Sequence, residues 1–311
     1  MSFSELNAEF PLIFDCFFFA FGACVGSFLN VCVFRIAAGE SIVRPPSHCA
    51  CGAPIKFYNN IPILSWFLLR GRAACCGRPI SFRYPLVEIL TASAFLGMWL
   101  MLPPERALVG MFFASLMIFC AFFDMDTMTL PDFATAGGAI AGFALSVFLP
   151  GVQGAESAEI PRLAQSVCSG VLSAAGAIVG AGLVYWLRLL GSAVFGREAM
   201  GEGDVILAGC IGAFCGWQGA VFCVFGGSVL GAVVMLPVAL FSGVFSRGKC
   251  SGGTSESRAR REGDAAEEAS AGGGIAVPFG PWLALGGTLY YMLFSEAVDA
   301  YFAGFWELFF R

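Results

Sequence analysis

Charge and histidine are scarce in this chain. Only 13% of its 311 residues are charged, and the sole histidine is His48. A soluble domain carries about 25% charged residues, so too few polar side chains remain to coat a globule of this length in water. The same shortage excludes a nucleic-acid binder, which needs a basic face, while the net charge of −5 is small for this length and says little about partners. A single histidine argues against a histidine-based catalytic triad and against a multi-histidine metal site. The N-terminus lacks the Lys/Arg cluster of a signal peptide, and its first apolar run is too long for one, so that run reads as a retained helix. No disulfide framework is legible either. The cysteine count, 13, is odd, and most of these residues sit inside apolar runs, where cysteine behaves as a small hydrophobe.

Apolar length is what the chain has in abundance: 58% of it is hydrophobic, including 33 Phe. Runs near the ~20 residues needed to cross a bilayer, some shorter, lie around 11–34, 84–102, 107–123, 133–150, 165–190, 204–217, 219–242 and 275–294. The expected architecture is an all-α polytopic membrane protein of about eight transmembrane helices, with a small Cys-rich cytosolic insert after the first. Residues 1–35 form the first helix, 36–83 the insert and 84–311 a transmembrane domain. Within that domain, 246–274 is rich in Gly, Ser and charge and reads as a disordered cytosolic loop. If the N-terminus faces outward, segments 35–83, 188–203 and 243–274 face inward and hold 14 of the 17 Lys and Arg. The positive-inside rule therefore favours that orientation.

Against this background, carboxylates beside apolar runs are suspects, because an ionisable group is costly there. One group is Asp124, Asp126 and Asp132, between the third and fourth runs. Another is Gly201-Glu202-Gly203-Asp204, at the start of the sixth. Two crossings separate Asp124 from Asp204, so both lie at the same membrane face. Two carboxylates in one site share a proton, one serving as acid and the other as water-activating base. That is aspartic-protease chemistry, and Gly201 and Gly203, lacking Cβ atoms, suit a close approach of substrate backbone. The competing reading is a non-enzymatic membrane assembly or ion-transport protein that uses the same carboxylates for ions.

Further motifs accompany the pair: Gly26-Ser27-Phe28-Leu29-Asn30-Val31, Arg44-Pro45-Pro46-Ser47, Asn60-Ile61-Pro62-Ile63-Leu64-Ser65-Trp66, Arg70-Gly71-Arg72, Pro79-Ile80-Ser81, Arg83-Tyr84-Pro85-Leu86-Val87-Glu88, Leu130-Pro131-Asp132, Glu198 ahead of Gly201, and Pro278-Phe279-Gly280-Pro281. In this order they resemble the type IV prepilin peptidase family, membrane aspartic proteases of the Gly-x-Gly-Asp kind. The resemblance implies an inner-membrane endopeptidase that cuts basic leaders from type IV prepilins and type II secretion pseudopilins at the cytosolic face. It implies Asp124 and Asp204 as the catalytic pair. Asp126 and Asp132 read as shaping the loop, orienting Asp124 or attracting the basic leader, or equally as carboxylates that merely mark loop ends; Glu198 belongs to the second motif as loop or substrate support; and Glu88 is implied near methylation or substrate binding, equally as a snorkelling structural residue. N-methylation of the new N-terminus with S-adenosylmethionine is also implied.

The family's insert carries two Cys-x-x-Cys pairs. Here Cys49-Ala50-Cys51 and Cys75-Cys76 stand instead, with Ala73 where a cysteine is expected. Cys51-Gly52-Ala53-Pro54-Ile55 and Cys76-Gly77-Arg78-Pro79-Ile80 nonetheless repeat one another. Four thiolates suit a tetrahedral structural zinc, and His48 is a possible substitute for one ligand.

Overall fold

In the computed structural model, residues 9–44, 47–49, 51–154, 159–196, 200–246 and 278–309 are described. They are helical almost throughout, and the described residues contain no β-strand, only two isolated bridges. The helices are α1 (Pro11–Ala37), the short α2 (Leu64–Leu68) inside the insert, α3 (Arg83–Met101), α4 (Pro104–Thr127), α5 (Asp132–Phe148), α6 (Arg162–Phe195), α7 (Glu202–Ser246), α8 (Gly280–Leu289) and α9 (Ser295–Phe309). One π-helical turn, Tyr290–Phe294, joins the last two.

Five of these helices (α1, α3, α4, and the bulk of α6 and α7) are long and apolar enough to cross a membrane. The expected count of eight is not established. The fourth expected span is the 17-residue α5. The sixth and seventh lie in one helical run broken only at Gly216, where φ 69° and ψ −178° fall in a region open essentially to glycine alone. Ile211 packs against the position of Gly287, and Cys223 against that of Gly286. In a straight helix, residues this far apart would be about 18 Å from each other, so the chain folds back at Gly216. The break frees carbonyls that lipid cannot satisfy. Gln153 Nε2 donates to Ala213 O at 2.9 Å and Phe214 O at 3.3 Å, and Ser173 Oγ donates to Ala213 O at 2.7 Å. The chain tail continues the last helix to Phe309. The loop expected at 246–274 lies, after Ser246, outside the described residues.

Without water between them, membrane helices associate by close packing of small residues. The α6–α7 seam is built this way: a Cβ at Gly176 would strike Gly212 O, and one at Gly212 would strike Gly176 O. The buried core is continuous through α1, α3, α4, α7 and α8, with Phe113, Phe214 and Tyr291 among its largest side chains. Large apolar residues such as Leu12, Phe148 and Leu163 are exposed on the outer faces. This is the distribution expected where lipid does the coating.

Candidate active site

Asp124 lies one turn before the end of α4. The helix stops because Met128 turns into the left-handed region (φ 53°), its N–H closing on Asp124 O at 2.8 Å. The Thr127 and Thr129 hydroxyls tie this turn together at 3.0 Å, and Pro131 then caps α5. Asp204 sits in the first turn of α7, where the unpaired N–H groups and the helix dipole favour an anion. Both carboxylates are buried, Asp124 6% and Asp204 8% exposed, and they are close enough for the Asp124 charge to act on Asp204.

Two glycines make this arrangement possible. A Cβ at Gly203 would lie 2.8 Å from the Leu130 Cβ, so its absence lets the loop after Asp124 rest on the turn that carries Asp204. The space at Gly203 is thus taken by Leu130, not left for a substrate backbone. Gly201 is unobstructed, and its backbone N–H reaches the Asp204 carboxylate. Gly280, at the start of α8, was not picked out as a site residue by sequence reasoning. A Cβ there would lie 2.6 Å from Asp124 Oδ2, and its backbone N–H meets the Asp124 carboxylate. The signal available was the Pro278-Phe279-Gly280-Pro281 run, which fixes a chain turn at a helix start. Two helix N-termini thus converge on two acids. Asp124 Oδ2 is buried without a hydrogen-bond partner among the described residues.

The supporting carboxylates divide. Asp126 is exposed and ion-pairs with Arg83, whose Nη2 also donates to Phe122 O at 3.1 Å. Arg83 thereby fastens the start of α3 to the last turns of α4. Asp132 is exposed in the first turn of α5, placed to complement that helix's dipole. Glu202 points outward and pairs with Arg188 at 3.1 Å. Glu198 lies outside the described residues. Glu88 is away from the acid pair, against the insert: its Oε2 accepts the Ile63 N–H at 2.6 Å. Asn30 Nδ2 donates to Tyr84 O at 3.0 Å, a bond between α1 and α3. Arg35 is buried and donates to Ser41 O and Ile42 O.

The four cysteines of the insert come together. Their sulfurs lie within 4.8 Å of one another, with Cys49–Cys76 at 3.6 Å and Cys51–Cys75 at 3.5 Å. Each half is a knuckle closed by a positive-φ glycine, Gly52 or Gly77, and by one isolated bridge, His48–Pro54 or Arg72–Pro79. Cys49 N bonds Ala53 O in the first, and Ala73 N bonds Arg78 O in the second. The second turn is therefore one residue longer. That extra residue lets adjacent Cys75 and Cys76 both face the cluster, and His48 is not part of it. The Cys51 backbone N–H, with the neighbouring thiols, pulls Cys49 down to about 7. Hydrogen bonding to the Cys49 and Cys51 sulfurs pushes Cys75 up to about 12. A tetrahedral Zn–S₄ centre has sulfurs about 3.8 Å apart, given Zn–S bonds of about 2.3 Å. The quartet fits a metal of that kind.

Comparison with known proteins agrees with this layout. Residues 111–236, which hold both acids and the fold-back, match the type IV leader peptidase family. Residues 20–102, which hold the insert, match the bacterial Peptidase A24 N-terminal domain. A protein of Myxococcus xanthus is 39% identical over 250 residues, covering 78% of this chain and 68% of its own length. The chain belongs to the type IV leader peptidase family. Other relatives are a Klebsiella pneumoniae protein, 36% identical over 223 residues (69% of this chain, 90% of its own), and one of Pectobacterium carotovorum, 30% identical over 306 residues (90% and 94%). All three are named prepilin leader peptidase/N-methyltransferase. No solved structure matches the chain.

Proposed function

We propose that Asp124 and Asp204 are the catalytic pair with which this leader peptidase cleaves prepilins. Family membership makes the chain a membrane enzyme that removes prepilin leaders and N-methylates the product. The observation that supports the assignment of the pair is two buried carboxylates at converging helix N-termini, one with an unpartnered oxygen. The ionised member of the pair takes a proton from a water, whose oxygen attacks the scissile carbonyl carbon. The protonated member gives its proton to the carbonyl oxygen. Collapse of the tetrahedral intermediate breaks the C–N bond, and the departing amine takes up a proton from the pair. The shared proton belongs to both acids together. Gly201 and Gly280 hold the two carboxylates through their N–H groups, while Gly203 sets their separation through Leu130.

In this reading the insert and the acid pair lie on the cytosolic side of the bacterial inner membrane and the N-terminus outside, an orientation that the positive-inside rule supports. A pilin's apolar N-terminal helix enters from the lipid while its basic leader stays in the cytosol, near exposed Asp126, Asp132 and Glu202. The substrates are type IV prepilins and type II secretion pseudopilins. Cys49, Cys51, Cys75 and Cys76 would hold a structural zinc, which would fasten the two knuckles. S-adenosylmethionine supplies an electrophilic methyl group for the amine released by cleavage.

Intact-mass measurement of a prepilin incubated with the purified chain, with and without S-adenosylmethionine, tests this reading. A leader-sized loss in both samples, with one methyl group added only when the donor is present, is expected. An unchanged prepilin mass, across several prepilins, would overturn it.

A further inference from the structure

The four cysteines of the insert lie outside the long helices and within reach of small solutes: Cys51, Cys75 and Cys76 are exposed and Cys49 is half-buried. The other cysteines among the described residues sit in long helices, either in the core or on outer faces. Thiol oxidation follows exposure, and a newly formed sulfenic acid escapes further oxidation when a thiol is close enough to condense with it. Every sulfur of the quartet has such a neighbour. Cys76 Sγ lies 3.6 Å from Cys49 Sγ, and Cys75 Sγ lies 3.5 Å from Cys51 Sγ.

Spacing decides which bridges can form. The Cα atoms of bridged cysteines are usually about 4.4–6.8 Å apart, whereas those of chain neighbours are about 3.8 Å apart across a trans peptide. Cys75 and Cys76 fall short of the range, so a bridge between them is strained. If Cys49 paired with Cys51, these two would be left with no other partner in the quartet. Unstrained, complete oxidation therefore joins each cysteine of the second knuckle to one of the first. The contacts already present set the pairing at Cys49–Cys76 and Cys51–Cys75. Each pair of sulfurs closes by about 1.5 Å to reach a bond of about 2.05 Å, while the Gly52 and Gly77 turns hold the knuckle backbones. A Cys-x-x-Cys spacing lets a knuckle close on itself; the adjacency of Cys75 and Cys76 removes that route.

We propose that the quartet is a thiol redox centre, which hydrogen peroxide oxidises to two bridges between the knuckles, Cys49–Cys76 and Cys51–Cys75. The first thiol of a pair attacks a peroxide oxygen; the O–O bond breaks, a sulfenic acid forms and one water leaves. The second thiol attacks that sulfur; the S–O bond breaks, the S–S bond forms and a second water leaves. Each pair thus gives two electrons and two protons to one peroxide, and the quartet consumes two. A metal held by the sulfurs is set free, since it is the thiolate that ligates. The insert nonetheless stays fastened. The Cys49–Cys76 bridge ties the ends of the stretch that carries the 3₁₀ turn Phe57–Asn60 and α2, and a covalent cross-link restricts the unfolded loop. Only the reduced, metal-free insert has neither fastening. The inference goes beyond the zinc reading and does not depend on it, because bridging needs the four thiols alone.

Non-reducing peptide mapping by mass spectrometry, on the detergent-solubilised full chain treated with hydrogen peroxide, tests the pairing. In wild type the insert should lose about 4 Da, one pair of hydrogens per bridge, and yield peptides joined at Cys49–Cys76 and Cys51–Cys75 that dithiothreitol separates. In Cys75→Ser the Cys49–Cys76 bridge should still form, with Cys51 left out of any bridge. Limited digestion with trypsin, after metal is removed by a chelator, reads the fastening. Peroxide-treated wild type should be cut within the insert about tenfold or more slowly than the reduced protein. Bridges within a knuckle, any other pairing, a link to a cysteine outside the quartet, or sulfinic and sulfonic acids in place of bridges would overturn the proposal. Equal digestion of the oxidised and reduced metal-free proteins would do the same. Both bridges forming in a protein that never takes up zinc would sink the zinc reading and support this one.

Discussion

An alanine at position 280 would place one methyl carbon 2.6 Å from Asp124 Oδ2. Ordinary van der Waals contact begins at 3.4 Å, so about 0.8 Å must be absorbed. Gly280 is the first residue of α8 and is not at positive φ, so its backbone accepts an alanine. Any loss of function would therefore come from the contact and not from a weakened α8. The nearest movable group is the Asp124 carboxylate, and its displacement separates it from Asp204 and from the attacking water. A misplacement of about 1 Å at a reacting group costs on the order of 10²-fold in rate. Gly280→Ala should thus lower kcat for prepilin cleavage about 100-fold with KM little changed, because substrate binding does not use this carbon. Overpacking should cost about 1–3 kcal/mol of stability, leaving the protein folded. Initial rates over a range of prepilin concentrations, with Gly304→Ala as the unobstructed control, measure the effect. A kcat within about twofold of wild type would refute the claim that Gly280 seats Asp124.

Gly203→Ala should lower cleavage similarly through the 2.8 Å clash with Leu130. Adding Leu130→Gly, which removes the opposing carbon, should recover part of the rate; strictly additive losses in the double variant would contradict the packing argument. Gln153→Ala leaves the carbonyls at the Gly216 break short of a donor and should cost about 1–3 kcal/mol, read as a lower thermal midpoint; an unchanged midpoint would mean that Ser173 suffices. Asp126→Asn weakens an exposed pair with Arg83 and should change stability by no more than about 1 kcal/mol, as measured by thermal unfolding. Cys76→Ser should reduce the metal content of the purified protein, read by elemental mass spectrometry, from one zinc per chain to near none; full retention would show that the sulfurs do not hold it.

Much of the site was legible before the fold was. Asp124 and Asp204 stand out because carboxylates beside apolar runs are costly, and the knuckle repeat is visible as two Cys-Gly segments. The helical class follows directly from the apolar runs. The partners that shape the site were harder to read. Gly203 and Gly280 both fall in motifs, but among 40 glycines nothing in the sequence shows that one seats Leu130 and the other Asp124, because those contacts cross long sequence separations. The break between the sixth and seventh runs was expected at 218, two residues from Gly216; what the sequence did not show is how it is held, because Gln153 and Ser173, which take up its carbonyls, are distant along the chain. Glu88 was noticed, but its bond to the Ile63 N–H is a property of tertiary structure that no local pattern announces.

The central claim is that Asp124 and Asp204 act as one unit. It is tested most directly by cleavage rates of a prepilin by wild type, Asp124→Asn, Asp204→Asn and the double variant. Residues that work together are grossly non-additive. Each single substitution is therefore expected to abolish cleavage by about 10³-fold or more, with the double variant no worse. Either single variant retaining a tenth or more of the wild-type rate would contradict the account.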